Sequence, residues 1–204
     1  LTPFQFINFF LINKKKPEQD IKEWKNIVKY LYEQLGKGEY LRLVKNGFLK
    51  DTCLLHEMSL TPFSKRKQEG LNFLIDLLGV DIFFKKDGNG ESAFYAAIDA
   101  RDHNLVKSLL DKTSLPFAEI NFCSKITMFT PLELSAFTVK EKGLVDGDQV
   151  EILNSLLDYA KRRNTSFETV LNSFILYSDN SIKALVFLLE KGYLDSFPGF
   201  SLEK

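Results

Sequence analysis

Cysteine occurs only twice in these 204 residues, at Cys53 and Cys123. Two thiols cannot build a disulfide framework, and they fall short of the four ligands of a structural zinc site. Reduced thiols in an intracellular, cytosolic setting are the expectation. An excess of either charge is also missing. Lys plus Arg number 27 and Asp plus Glu number 27, so the net charge is zero. Nucleic-acid binders take much of their affinity from phosphate neutralisation by a basic excess, so no nucleic-acid partner is expected. The basic runs at residues 14–16, 65–67 and 161–163 are short and read as solvated helix ends. Long hydrophobic runs are absent too. No stretch approaches the roughly 20 apolar residues of a membrane-spanning helix, so no membrane span is expected. The apolar start LTPFQFINFFLI covers residues 1–12, and its lysines follow it. A signal peptide needs its basic region first. The chain does not begin with Met, which keeps open the reading that it is a piece of a longer protein.

Against these shortages stand 45% hydrophobic and 26% charged residues, a globular balance. The length suits one large domain or two small ones. Phenylalanine is abundant, with 19 copies against a single tryptophan. Residues 17–35 read as a helix. Pro17 suits its first position. Ile21, Trp24, Val28, Leu31 and Leu35 step by three and four onto one face, and Gly36 suits its end. A shorter segment, EYLRLVKNGF, follows with Gly47 as its stop. Apolar segments then become short and paired.

Paired leucines set the frame of the rest. They begin at Leu77, Leu109, Leu156 and Leu188, so the spacings are 32, 47 and 32 residues. Each pair closes a helical pattern: LNFLIDLL, NLVKSLL, VEILNSLL and IKALVFLL. Upstream of each lies a second short helical segment: TCLLHEMS, SAFYAAID, TPLELSAF and ETVLNSFIL. The unit is therefore helix, turn, helix, loop, and one such unit cannot bury its apolar stripe without stacked neighbours. Ala96, Ala97 and Ala136 are small residues where helices must approach closely. Thr130 and Pro131 suit a helix start, as cap and first residue.

This unit resembles the ankyrin repeat, whose pattern runs D-x-x-G-x-T-P-L-H-x-A-A, then G-H, then V-x-x-L-L. In residues 87–110, Asp87 and Gly90 stand at the turn positions and residues 92–95, SAFY, replace T-P-L-H. Ala97 and Ile98 replace A-A. Arg101 and Asp102 stand where G-H is usual. Leu105, Val106, Leu109 and Leu110 match the second helix. The next unit keeps TPLELSA at 130–136 and EILNSLL at 151–157. Between its helices lies VKEKGLVDGD, an insertion of about nine residues relative to the repeat register. The unit before has CLLHEMS and LNFLIDLL, separated by the extra stretch TPFSKRKQEG. The last unit has the helical pattern without the motif, as a terminal cap with a polar outer face would. The resemblance covers about residues 48–192.

Features that look like chemistry give way to structural readings. A calcium loop needs Gly at its sixth position and Glu at its twelfth, but DGNGES places Ser92 and Ile98 there. No G-x-x-x-x-G-K-[ST] phosphate loop is present. Gly88 and Gly90 are expected to supply positive φ at a turn between repeats. Cys53 and His56 lie one turn apart without a third group to complete a metal or nucleophilic site, and His56 falls on the ankyrin H position. No cofactor, metal or reaction is expected. In the loop GLVDGDQVE, Asp148 is expected to cap the helix from Gln149. His103 is expected at an exposed helix start.

The expectation is an all-α, ankyrin-like helix-turn-helix repeat solenoid with an N-terminal helical cap over residues 1–47. About four repeats follow (48–84, 85–120, 121–163, 164–192), then a tail at 193–204. Trp24 and its stripe are expected to cap the first repeat. The resemblance implies a protein–protein interaction module that is not an enzyme. It implies a protein partner held in the concave groove and on the inserted loops. Asn89, Glu91 and Asp99 would line the groove at one repeat, Phe129 and Phe137 at the next, and Asp146 and Asp148 would stand on the insert. A monomer is expected. Degenerate repeats with long inserts also resemble ankyrin proteins that intracellular bacteria secrete into the host-cell cytosol, which implies a bacterial effector acting on a host protein. The alternative is a regulatory or targeting domain of a larger enzyme.

Overall fold

A computed structural model describes residues 19–44, 55, 65–87, 90–142, 147–172, 174 and 179–200. Among these residues all regular structure is helical. The chain divides into two compact units, Leu1–Ala100 and Arg101–Lys204. The division falls inside the second expected repeat, between its two helices. Pro17, Gly47, Cys53 and His56 lie outside the described residues.

In the first unit, α1 spans Gln19–Val44. Ile21, Trp24 and Val28 are buried as their spacing predicts, whereas Leu31 is half-buried and Leu35 exposed. As expected, Gly36 ends the first helical stretch of α1: at φ 71°, ψ 160° it is non-helical, and a second, shorter stretch runs on to Val44. Glycine takes that left-handed φ without a Cβ clash. Beyond the kink Tyr40 is buried, and its ring meets Tyr32 edge-on at 5.5 Å. Burial pushes the Tyr40 phenol well above the ordinary tyrosine range.

Helix α2, Lys65–Leu78, packs on α1 and buries Leu71, Leu74, Ile75 and Leu78, one face at helical spacing. Trp24 meets Phe73 edge-on at 5.7 Å. Lys25 and Glu69 pair at 2.5 Å across the same helices. That pair is partly exposed, so it adds less than about 1 kcal/mol.

A 3-10 helix, Val80–Phe84, buries Phe83 and Phe84, and Phe84 lies 4.7 Å from Phe94 of α3, Ala93–Asp99. Ser92 starts α3 by accepting the Tyr95 N–H at 3.1 Å. All residues 93–98 are buried, Ala96 and Ala97 among them. Upstream, the Asp87 N–H donates to the Glu91 carbonyl at 2.7 Å, and the Gly90 N–H to the Asp87 carbonyl at 3.1 Å. Gly90 has φ 76°, so it supplies the positive φ expected there; Gly88 lies outside the described residues.

In the second unit, α4 spans His103–Lys112 and α5 is the single turn Phe117–Ile120. They are followed by α6 (Pro131–Lys142), α7 (Gly147–Arg162), α8 (Phe167–Asn172) and α9 (Asp179–Glu190). Asp102 caps α4 by accepting the Leu105 N–H at 3.1 Å. Arg101 before it holds φ 60°, a left-handed conformation that costs a residue with Cβ roughly 1 kcal/mol or more. Arg101→Gly is therefore expected to raise stability by up to about 1 kcal/mol, the relief being partly offset by unfolded-chain entropy. Urea unfolding checks this, and a destabilised variant would show that the arginine side chain outweighs the strain.

Packing in this unit runs α4 on α7, α7 on α6, and α6 on α9. Second helices of successive repeats should meet, and α4 and α7 do. The second helix of the last repeat, α9, instead packs chiefly on α6. Its outward face also departs from a polar cap, because Ile182 is 46% and Val186 43% exposed.

Part of the insertion is not loop. Residues 139–142 continue α6, which reaches 12 residues against 7 in α3. The basic run at 161–163 is more than a solvated end. Arg162 reaches Asp111 at 3.3 Å, Arg163 donates to the Thr113 carbonyl at 2.6 Å, and the Tyr159 hydroxyl donates to the Leu115 carbonyl at 2.5 Å. Residues set apart as a tail also pack. Leu194 and Phe197 are buried, and the Phe167 N–H donates to the Pro198 carbonyl at 2.8 Å.

Candidate protein-interaction surface

The segment from Asn121 to Phe137 builds the site. At its base Thr130 and Glu133 cap α6 reciprocally. The Thr130 N–H donates to Glu133 Oε2 at 2.7 Å, and the Glu133 N–H donates to Thr130 Oγ1 at 3.3 Å. This is the T-x-x-E capping box, and it satisfies donors that a helix start leaves open. It also accounts for a fully buried carboxylate. Asn121, itself buried, adds a third tie by accepting the Leu132 N–H at 2.9 Å.

Above that base, Ser124 closes a tight turn. Its N–H donates to the Phe129 carbonyl at 3.0 Å, and its carbonyl accepts the Met128 N–H at 3.1 Å. Its side-chain oxygen accepts the N–H groups of Ile126 and Thr127, each at 3.1 Å. The turn is thereby held from both sides, and Ser124 is buried beneath it. At its tip Ile126 is 63% and Met128 55% exposed. Met128 has φ 60°, a strained value for a side chain of its size. Leaving large apolar side chains in water forgoes about 1.5–3 kcal/mol each.

Next to the tip, Phe129 and Phe137 stack with ring centroids 5.4 Å apart and planes 23° apart. Both are half-buried. The second unit thus carries an aromatic pair whose Phe129 directly follows an exposed apolar tip in the chain, on a backbone fixed by hydrogen bonds. Such a surface offers rigid apolar anchors with little ordering entropy left to lose.

Of the other expected site residues, Asp148, Glu91 and Asp99 lie among the described residues. Asp148 stands inside the first turn of α7, which starts at Gly147, so it is not the cap expected before Gln149. Its carboxylate lies 3.0 Å from His103 Nδ1, which fixes the starts of α4 and α7 side by side and leaves that histidine half-buried. An acidic group there also suits the positive end of the helix dipole. Glu91 gives backbone groups to the turn at 87–91, and Asp99 is exposed at the end of α3. Both belong to the first unit. Asn89 and Asp146 lie outside the described residues.

Ile126 and Met128 escaped the sequence reading, because a turn is read as polar and their two-residue spacing in KITMF matches no helix face. A cleft of about 480 Å³ between α4 and α7 is lined by Lys107, Asp111, Glu151, Asp158, Lys161 and Arg162, where acids and bases balance. Among the described residues no group of three or more His, Cys, Asp and Glu is placed to hold a metal ion. Nor is any helix there long and apolar enough to cross a membrane. Comparison with protein-family models, curated protein sequences and solved structures gave no match.

Proposed function

We propose that this chain is a protein-recognition module of the ankyrin-repeat kind, which holds a protein partner on the face formed by Ile126, Met128, Phe129 and Phe137. The observation that carries the reading is the stacked aromatic pair beside two exposed aliphatic side chains on a locked turn. An apolar cluster in water next to a strained backbone is a cost to folding, and such costs concentrate at binding sites. The sequence resemblance over residues 48–192 supports the same reading from an independent direction.

The test combines capture with placement. A photo-crosslinking residue at position 126 is expected to join the partner covalently in cell extract. The double variant Phe129→Ala/Phe137→Ala is expected to keep its helical content and lose that adduct, with affinity falling by about 100-fold if the pair acts as a hot spot. An adduct of equal yield in the double variant would remove the aromatic pair from the interface.

A further inference from the structure

We infer that α9 is a self-association surface on which a second copy of this chain docks its own α9 antiparallel. The helix has two apolar faces. Ala184, Leu185, Phe187 and Leu188 are buried, and α9 packs on α6. On the other side Ile182 and Val186 are exposed and Leu189 is half-buried, at i, i+4 and i+7. That spacing is the seam of one helix laid along another. Ile182, Val186 and Leu189 thus form an apolar strip outside the face by which α9 packs chiefly on α6.

Charge selects the occupant and its direction. Asp179, Lys183 and Glu190 are exposed and run along one flank of the seam. A second α9 laid antiparallel across Val186 brings Lys183 opposite Glu190 of the other copy, and the twofold axis repeats the pair. In a parallel twofold arrangement the two charged flanks fall on opposite sides of the seam, so Lys183 meets no Glu190. Antiparallel helices also oppose their dipoles favourably. The surface is thus complementary to itself, as a twofold interface requires. The seam is only three residues long, well short of what a standard interface of about 1,200–2,000 Å² uses. The dimer therefore forms in the micromolar to millimolar range. This departs from the monomer expected of the sequence.

Sedimentation of the full chain across that range is expected to show a reversible dimer, and Val186→Glu to leave a monomer of unchanged helical content. Lys183→Glu and Glu190→Lys should each weaken the dimer by about tenfold, since the twofold axis counts every like-charge contact twice. The combined exchange restores both pairs and should return affinity to within about threefold of the starting chain. A chain that stays monomeric throughout, a Val186→Glu variant that still dimerises, or a combined exchange no tighter than the single changes overturns the proposal.

Discussion

Leu156→Ala is expected to lower the unfolding free energy by about 3–5 kcal/mol, at the upper end for a core leucine. Leu156 is fully buried and opens the leucine pair of α7. That helix packs on both α4 and α6. Leu156 stands among Ile152, Leu153, Leu157 and Ala160 on its buried stripe, so truncation opens a void within a packed face. Arg162, Arg163 and Tyr159 tie the end of α7 to the α4 end and the chain just after it, while the capping box holds the α6 start. A cavity that cannot collapse costs both the transfer and the lost contacts. The loss is a large share of the 5–15 kcal/mol typical of a domain. Urea unfolding followed by circular dichroism reads it, with Asn104→Ala at an exposed position of α4 as the control. A loss below about 1 kcal/mol, within the range of surface changes, would mean that α7 is not the central helix of its unit.

Glu133→Ala carries the second large effect, about 2–3 kcal/mol of destabilisation. The change removes the acceptor of the Thr130 N–H, a group buried with its residue, and leaves that donor without its partner. It also removes one half of the reciprocal cap. Glu133→Gln keeps a carbonyl oxygen at the same reach and is expected to retain most of the stability. Because Thr130 and Glu133 act together, the loss in Thr130→Ala/Glu133→Ala should fall short of the summed single losses by about 0.5 kcal/mol or more. Strict additivity would mean that the two hydrogen bonds act separately. Phe129 adjoins the cap in sequence, so Glu133→Ala should also reduce partner capture, whereas Leu156→Ala at a temperature where it remains folded should not.

Helical periodicity was legible wherever one face of a helix is buried. The burial of Ile21, Trp24 and Val28, and of all four leucine pairs except Leu77 and Leu189, which are half-buried, follows from spacing alone. The start of α6 at Thr130 and Pro131 was legible because capping is local chemistry. The break at Gly36 was legible too, because glycine takes a positive φ that stops a helix, whereas the burial of Tyr40 in the stretch beyond it depends on tertiary packing. Asp148 lies two residues further into α7 than a cap would, because the helix starts at Gly147. Its nearest acceptor role on paper is its own helix, but His103, 45 residues away in sequence, offers a partner.

The candidate site divides in the same way. Phe129 and Phe137 could be singled out by repeat register, but that they stack on each other requires the turn and the helix to be placed together. Ile126 and Met128 had no signal, since exposure in a turn depends on which way Ser124 closes it. The last unit was expected to show a polar outer face, and the helical pattern of IKALVFLL does not say which of its apolar residues meet α6 and which, like Ile182 and Val186, stay in water.

By itself the sequence determined the helical class, the frame of paired leucines and the local caps, because each rests on contacts within one turn or on a repeating spacing. The tertiary structure alone decided that α9 packs chiefly on α6, that Asp148 serves His103, and which apolar side chains remain in water. Those outcomes depend on competition between distant surfaces for the same apolar area and the same donors, and no local pattern encodes the winner.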